Sequence, residues 1–246
     1  MGSENRVAVV TGGMGGIGTA ICLRLKAEGA TVIAVAHSSE EAKIAAWQTE
    51  NNTDIEVITG DVASEENAAG MMNSIIEKHG RVEIVVNCAG ITRDGMFKKM
   101  DGSQWDSVIS TNLNSVYYVT RPVWNGMIEQ GFGRVINISS VNGQRGQFGQ
   151  ANYAAAKAGM HGISMSLAYE GATKGVTANT ISPGYVNTAM TAAMRDDVRD
   201  SIVAGIPMRR MGNPEEIAAA VAFIASDEST YITGVNLPVN GGLFIH

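Results

Sequence analysis

A tyrosine and a lysine one helical turn apart form the most reactive pair in this sequence. Tyr153 and Lys157 lie in the alanine-rich run 150–159, which favours a helix and therefore puts both side chains on one face. Because a cation stabilises an ionised phenol, we expect Lys157 to lower the pKa of Tyr153 from about 10 towards neutrality. Tyr153 could then act as a general acid or base. A pair of this spacing also arises by chance, so its weight depends on its neighbours.

Two polar residues upstream can complete a site around this pair. Ser140 follows Ser139 at the end of the fifth apolar run, where a hydroxyl can polarise a substrate carbonyl. Asn112 falls inside a predicted helix, a position that disfavours asparagine. The alternative for Asn112 is a residue that simply faces solvent.

A glycine-rich turn follows the first apolar run of the chain. Its glycines are spaced Gly12-x-x-x-Gly16-x-Gly18, directly after the run Val7–Thr11 and before a helical stretch. Backbone amides at a helix N-terminus attract a pyrophosphate, and glycines let the backbone approach it closely. The turn therefore predicts a dinucleotide site, with a purely structural turn as the alternative.

Apolar runs alternate with helical stretches along the chain, and this alternation predicts the fold. The predicted strands are Val7–Thr11, Thr31–Ala36, Ile55–Thr59, Val82–Val86, Arg134–Ser139, Thr177–Ser182 and Val235–Val239. The predicted helices between them include Gly16–Glu28, Glu65–Lys78, Gln104–Gln130 and Ala151–Ala172. This order predicts one α/β domain over residues 1–246, with a doubly wound parallel sheet and ligands at the carboxyl ends of its strands. Residues 184–210 show no firm element and are interpreted as a substrate lid.

Composition and charge exclude several classes of protein. The 246 residues are 45% hydrophobic and 17% charged, with a mean hydropathy of +0.03, which does not fit a disordered chain. A net charge of −6 argues against nucleic-acid binding, and the absence of a run of about 18 apolar residues argues against a membrane span. Two cysteines cannot build a disulfide framework, so we expect a cytoplasmic protein. Four scattered histidines predict no metal site.

Taken together, these motifs resemble the short-chain dehydrogenase/reductase family over essentially the whole chain. The order and spacing typical of the family are matched by Thr11-Gly12-x-x-x-Gly16-x-Gly18, Asn87-Cys-Ala-Gly90, Asn112, Ser140, Tyr153-x-x-x-Lys157 and Ser182-Pro-Gly184. One departure is Cys88, where members commonly have a second asparagine. The resemblance implies a Rossmann-like single domain and an enzyme that reduces a carbonyl group with NADH or NADPH.

The resemblance also implies a role for each motif residue. Tyr153 would protonate the substrate oxygen, and Lys157 would hold the nicotinamide ribose. Ser140 would position the carbonyl, and Asn112 would anchor a relay water. The residues expected to bind the nucleotide are Gly12, Met14, Gly16, Ile17, Gly18, Ser38, Asp61, Val62, Asn87, Ala89, Gly90, Tyr153, Lys157, Pro183, Gly184, Val186 and Thr188. Those expected to contact the substrate are Asp94, Lys99, Gln147, Phe148, Gln150 and Tyr185.

For two of these residues a plain structural role is the alternative. Asp61 follows the third apolar run, where its carboxylate could accept a hydrogen bond from an adenine amino group or could cap the next helix. Lys99 could contact a CoA phosphate or could be an ordinary surface lysine.

Within the family, the substrate loops resemble two sister groups: acetoacetyl-CoA reductases of polyhydroxybutyrate synthesis and reductases of β-ketoacyl carrier proteins. The run Gln147-Phe-Gly-Gln150 matches the first group and implies reduction of acetoacetyl-CoA to (R)-3-hydroxybutanoyl-CoA. Docking to an acidic carrier protein calls for a basic patch, and the runs 127–131 and 168–174 supply one lysine and two glutamates. A non-catalytic nucleotide-sensing module is the alternative of another class, and the intact reactive residues argue against it.

Two further expectations concern the cofactor and the assembly. After the second strand the chain has neither an aspartate for a ribose hydroxyl nor an arginine for a 2′-phosphate, and Glu40 and Glu41 would repel added negative charge. We therefore expect NADH to be used at least as well as NADPH. Apolar faces on the helices Gln104–Gln130 and Ala151–Ala172, together with the resemblance, imply a homotetramer. Burial of those faces inside one chain is the alternative.

Overall fold

A seven-stranded parallel sheet forms the centre of the computed structural model, which describes residues 5–192 and 194–245. The strands are β1 (Val7–Thr11), β2 (Thr31–Ala36), β3 (Glu56–Thr59), β4 (Ile84–Asn87), β5 (Gly133–Ile138), β6 (Val176–Pro183) and β7 (Asn236–Val239). Their order is β3-β2-β1-β4-β5-β6-β7, with every neighbouring pair parallel. The chain winds outwards from β1 to β3, returns to β4 and winds outwards to β7. The predicted doubly wound α/β fold is confirmed; residues 1–4, 193 and 246 of the predicted domain lie outside the described part.

Helices cover both faces of this sheet. They are α1 (Gly16–Ala27), α2 (Ile44–Glu50), α3 (Glu65–His79), α4 (Gly102–Ile109), α5 (Ser115–Gln130), α6 (Val141–Arg145), α7 (Ala151–Gly171), α8 (Ala189–Ala192), α9 (Asp196–Gly205) and α10 (Pro214–Ala225). None of the helices in the described part of the chain has the length and apolar character needed to cross a membrane.

Alternate residues of β1 pack on opposite faces of the sheet, which explains its continuous apolar run. Ala8 and Val10 belong to the core that includes α1 and α10, whereas Val7 and Val9 belong to the core that includes α3 and α5. All four side chains are buried. A strand covered on both faces needs no polar alternation, so its apolar run is enough to locate it.

The predicted helix Gln104–Gln130 is interrupted near its middle. The chain forms α4, then a π-helical turn over Ser110–Asn114, then α5. Such turns are rare and occur frequently at functional sites. This one carries Asn112, whose side chain is fully buried, so the alternative that Asn112 faces solvent is wrong.

Helix α3 begins at a serine cap and not at Asp61. The Oγ of Ser64 accepts a hydrogen bond from the backbone amide of Asn67 at 3.3 Å. Asp61 accepts one from the backbone amide of Ala63 at 2.9 Å, inside the turn after β3. Ser64 directly precedes the first helical residue and can reach its free amides, so the alternative of Asp61 as the helix cap is wrong.

Residues 184–210 contain two helices, α8 and α9, so the expectation that this stretch lacks a firm element was wrong. Helix α9 begins with Asp196 and Asp197, whose negative charges suit the positive end of the helix dipole. A β-bridge between Val186 and Gly212 ties the start of the stretch to a residue beyond its end. The role of this stretch as a substrate lid stays a prediction.

Candidate active site

A cavity of about 730 Å³ opens at the carboxyl ends of the strands, where the strand order reverses between β1 and β4. It is bounded by the glycine turn after β1, the turn after β4, the end of β5 with α6, the start of α7 and parts of the stretch 183–202. Ligands of open α/β sheets bind at this reversal. The architecture therefore brings together motifs that are far apart in the sequence.

The glycine turn places backbone where side chains would not fit. Gly12 has a φ of +65°, a conformation that favours glycine. A Cβ on Gly18 would collide with the carbonyl oxygen of Gly12, and one on Gly16 would lie 2.9 Å from Cγ2 of Thr188. The turn is also fastened in place, since the amide of Gly13 donates to the Val35 carbonyl of β2 at 3.0 Å. Because α1 starts at Gly16, its free amides and dipole lie at the cavity and suit a pyrophosphate.

The hydroxyl of Thr11, at the end of β1, fixes the turn that follows β4. Its Oγ1 accepts hydrogen bonds from the backbone amides of Cys88 at 3.0 Å and Ala89 at 3.1 Å. The next residue, Gly90, lies so near the reactive residues that a Cβ there would be 3.4 Å from both Lys157 Nζ and Asn112 Oδ1. The two central strands thus hold this turn against the lysine.

Tyr153 and Lys157 both line the cavity from the first turns of α7, as their spacing predicts. The Lys157 Nζ lies 5.6 Å from the centre of the Tyr153 ring and donates a hydrogen bond to the carbonyl oxygen of Ile138 at 2.8 Å. Lys157 is 3% exposed. Since burial disfavours the charged form, it lowers the pKa of Lys157 to about 8.

The pKa of Tyr153 is shifted in the opposite direction to the one expected. Burial raises this pKa above its ordinary value, and a side-chain hydrogen bond with Ser140 opposes the rise without cancelling it. The prediction that Lys157 lowers the pKa was wrong, because withdrawal from water disfavours the phenolate more than its surroundings favour it. The phenol is therefore held in its protonated form, which can donate a proton.

Ser140 caps the short helix α6 beside the phenol. Its Oγ accepts a hydrogen bond from the backbone amide of Asn142 at 3.1 Å. That bond uses a lone pair of the oxygen and leaves the hydroxyl hydrogen for Tyr153 or for a substrate that takes its place. Ser140 can therefore donate a hydrogen bond to an acceptor that shares the cavity with Tyr153.

Asn112 joins the π-helical turn to the loop that follows β4. Its Nδ2 donates to the carbonyl oxygen of Ile91 at 2.9 Å, and its Oδ1 accepts from the Ile91 amide at 2.8 Å. One backbone residue thus uses both ends of the side-chain amide. Since the adjacent Gly90 lies against Lys157, the Asn112 amide sets the position of this loop relative to the lysine.

Most of the predicted site residues line the cavity. Those that do are Gly12, Gly16, Ile17, Gly18, Ala89, Gly90, Asp94, Ser140, Gln147, Phe148, Gln150, Tyr153, Lys157, Pro183, Gly184, Tyr185, Val186 and Thr188. Those that do not are Met14, Ser38, Asp61, Val62, Asn87, Lys99 and Asn112.

Three of the residues outside the cavity have clear local surroundings. Val62 is buried in the hydrophobic core. The Nδ2 of Asn87 donates to Asn137 Oδ1 at 2.8 Å, within the sheet. Lys99 ends an exposed 3₁₀ turn. The roles predicted for these residues stay predictions.

Two loops meet along the outer wall of the cavity, where substrate contacts are predicted. The Nε2 of Gln150 donates to Asp94 Oδ2 at 2.9 Å, while its Oε1 accepts from Asn142 Nδ2 at 2.9 Å. The amide of Gly95 donates to the carbonyl of Gly149 at 2.8 Å. These bonds orient the Gln150 side chain at both ends and hold the two loops together.

Sequence reasoning missed a group of lining residues on α6 and α9. Asn142 lies on α6, and Val198 and Ile202 lie four residues apart on α9. The spacing of the two apolar residues, one helical turn, is a signal that could have found the α9 wall. Glu40, noted for its charge, also lines the cavity from the 3₁₀ turn that follows β2.

Comparisons with known proteins show which family and which enzymes this chain resembles. A family model described as enoyl-(acyl carrier protein) reductase, which represents the short-chain dehydrogenases/reductases, matches residues 12–244. An acetoacetyl-CoA reductase of Allochromatium vinosum is 65% identical over 98% of this chain and 99% of its own length. An acetoacetyl-CoA reductase of Cupriavidus necator is 50% identical over 97% and 98%. A 3-oxoacyl-[acyl-carrier-protein] reductase of Salmonella typhimurium is 46% identical over the full length of both chains.

Proposed function

The chain belongs to the short-chain dehydrogenase/reductase family, and from this premise we propose that it reduces acetoacetyl-CoA to (R)-3-hydroxybutanoyl-CoA. The observation that carries the proposal is that Ser140, Tyr153 and Lys157 line one cavity together with the glycine turn. This set joins a proton donor to a nucleotide-binding turn, as carbonyl reduction requires. The choice of substrate is supported by the 65% identical relative.

The glycine turn fits the pyrophosphate of NADH or NADPH, because it brings the free amides at the start of α1 to the cavity through a tight backbone path that leaves no room for side chains at Gly16 or Gly18. Such a nucleotide supplies the hydride that the carbonyl carbon accepts. The predicted contacts of Lys157 with the nicotinamide ribose are supported by the position of its ammonium group in the same cavity.

The protein's own groups handle the proton and the developing negative charge. Tyr153, which burial keeps protonated, gives its hydroxyl proton to the substrate oxygen. Ser140 donates a hydrogen bond to the same oxygen, which stabilises the charge that builds there. The Lys157 ammonium, 5.6 Å from the ring, favours the phenolate left behind.

Asn112 acts in this proposal by fixing the loop at Gly90 and Ile91. The relay water expected at Asn112 stays part of the proposal, because each end of its side-chain amide keeps one hydrogen-bonding position beyond the bond with Ile91.

An assay of the purified protein tests the substrate. We expect NADH-dependent turnover of acetoacetyl-CoA to be fast, to fall with acyl chain length and to vary little with salt. A reductase of carrier-bound β-ketoacyl groups is the second candidate, favoured by the Salmonella relative. It would prefer the carrier-bound substrate and would weaken steeply as salt screens the docking charges. No turnover of either thioester would refute both.

Glu40 supports NADH as a cofactor used at least as well as NADPH. Glu40 lines the same cavity as Gly12, Gly15 and Gly16, and its negative charge would repel an added 2′-phosphate there. Glu40→Gln should raise kcat/KM for NADPH relative to NADH by about tenfold, or about 1.4 kcal/mol. Glu41→Gln is the matched control, because Glu41 is exposed and does not line the cavity. A wild-type preference of a hundredfold for NADPH would end this proposal.

Exposed apolar residues support a homotetramer. Tyr117 on α5 and Met165 and Tyr169 on α7 are all exposed in the single chain, so burial within one chain, the alternative, does not account for them. Light scattering should give four times the 25.9 kDa chain mass; the mass of a single chain would refute the assembly. Free thiols at Cys22 and Cys88 support a reducing compartment such as the cytoplasm.

A further inference from the structure

The backbone of Lys157 is held by the same segment that holds its ammonium group. Residues 138–143 contain the end of β5 and most of α6. The Ile138 carbonyl accepts from Lys157 Nζ, and the hydroxyl of the next residue, Ser139, donates to the Lys157 carbonyl oxygen, both at 2.8 Å. Two consecutive residues thus hydrogen-bond to the side-chain ammonium and to the backbone carbonyl of one lysine.

The Ser139 hydroxyl is itself fixed by a histidine one turn further along α7. Its Oγ lies 3.0 Å from Nε2 of His161. Because Ser139 uses its only hydrogen on the Lys157 carbonyl, His161 must donate here, which places a proton on Nε2. Burial lowers the pKa of His161, so a neutral ring with this single proton suits the contact. Ser139 is 4% exposed and is aimed at the helix.

Gly143 on α6 lies in close contact with the backbone of Lys157. A Cβ on Gly143 would lie 2.9 Å from both the carbonyl carbon and Cβ of Lys157, and 3.0 Å from the amide nitrogen of Ala158. These are backbone atoms or atoms next to the backbone, so they cannot move aside as the end of a flexible side chain could. Any larger residue at position 143 would push the lysine turn of α7 away from β5.

We propose that Ser139, His161 and Gly143 are positioning residues that set where the Lys157 ammonium stands in the cavity. They act through the lysine backbone and transfer no proton to substrate. The expected effect of a displaced Lys157 on turnover rests on the proposed function. The expected effect on nucleotide binding does not depend on which thioester the protein reduces. A displaced Lys157 should weaken binding of the nicotinamide half of the nucleotide and leave the adenosine half unaffected.

The test compares the Kd of NADH with the Kd of AMP, which lacks the nicotinamide ribose. Ser139→Ala removes the hydrogen bonds of this hydroxyl to the Lys157 carbonyl and to His161, and it should weaken NADH binding by about fivefold while AMP binding is unchanged. Acetoacetyl-CoA turnover should fall at least as much. Ser229→Ala is the matched control: its buried hydroxyl also donates to a helix carbonyl, that of Ile224, at 2.8 Å, outside the cavity. It should lower Tm without separating NADH from AMP.

Two other variants keep the proposal testable if Ser139→Ala does not fold. His161→Phe removes the donor to Ser139, and Gly143→Ala adds the methyl group that presses on Lys157. Both should reproduce the split between NADH and AMP. Equal weakening of the two nucleotides, or no change in either, would overturn the inference. If the wild type failed to reduce acetoacetyl-CoA yet the split appeared, the proposed function would fail and the positioning role would stand.

Discussion

Replacing Lys157 by methionine should stabilise the protein while it abolishes turnover. Methionine has a similar length and no charge, so it removes a buried cation without emptying its space. The size of this stabilisation follows from the shifted pKa of Lys157. Burial lowers the pKa of Lys157 from 10.5 to about 8, so keeping the ammonium charged at pH 7 costs about 3 kcal/mol, at 1.36 kcal/mol for each pH unit.

One contact of the lysine offsets part of that gain. The carbonyl of Ile138 loses the hydrogen bond from Nζ, which is worth about 1 kcal/mol. The net gain of about 2 kcal/mol should raise Tm at pH 7 by about 4 to 8 °C for a chain of this size.

The pH dependence has a definite sign. Between the folded pKa of about 8 and the unfolded value of 10.5, the unfolded wild type binds more protons than the folded one, so its stability rises with pH. At pH 9.5 the penalty has fallen to about 1 kcal/mol and balances the lost hydrogen bond, so Lys157→Met and wild type should melt together.

Thermal unfolding at pH 7 and pH 9.5, without nucleotide, measures both effects. Lys174→Met is the matched control, because Lys174 is exposed at the end of a 3₁₀ turn after α7 and its loss should leave Tm unchanged. A Lys157→Met protein that melts below wild type at pH 7, or that keeps its full advantage at pH 9.5, would refute the account of the buried charge.

Three further changes test other parts of the site. Tyr153→Phe should lower turnover at least 10²-fold by loss of the proton donor while the protein still binds NADH through its other contacts; full activity would contradict its role. Gly18→Ala should weaken NADH binding more than about tenfold, because the new methyl group meets the carbonyl of Gly12, whereas the control Gly70→Ala, with open space around it, should bind NADH normally. Normal NADH binding by Gly18→Ala would contradict the fit of the glycine turn to the nucleotide. Gln150→Ala should raise KM for acetoacetyl-CoA about three- to tenfold with kcat nearly constant, since the outer wall loses two hydrogen bonds; an unchanged KM would detach it from the substrate.

The hydrophobic pattern located all seven strands, and the bounds of five of them differ from the prediction by one or two residues. The bounds of β1 and β2 agree with the prediction. The fourth strand was expected at Val82–Val86 and lies at Ile84–Asn87; it extends to Asn87 because that residue pairs with Asn137 of β5. The hydrophobic pattern ends before a polar residue such as Asn87, although the backbone pairing of the strands continues through it.

The sequence predicted which residues form the candidate site but not how burial shifts their pKa values. Spacing alone placed Tyr153 and Lys157 on one face of a helix. It could not show that both residues would be buried, and burial reverses the expected shift in the pKa of the tyrosine. Nor could it pair Gln150 with Asp94, since the contact depends on two loops that meet only in the folded chain.

The bonded glycine turn has a consequence for how a nucleotide would be captured. The amide of Gly13 is already tied to β2, and the amide of Gly15 donates to Gly12 at 3.0 Å. Few backbone torsions are left to freeze when a ligand arrives, so little conformational entropy is lost on association. Affinity at this end of the cavity then reflects attraction between the nucleotide and a rigid surface. The nucleotide should bind to a preformed glycine turn and not order the turn as it binds.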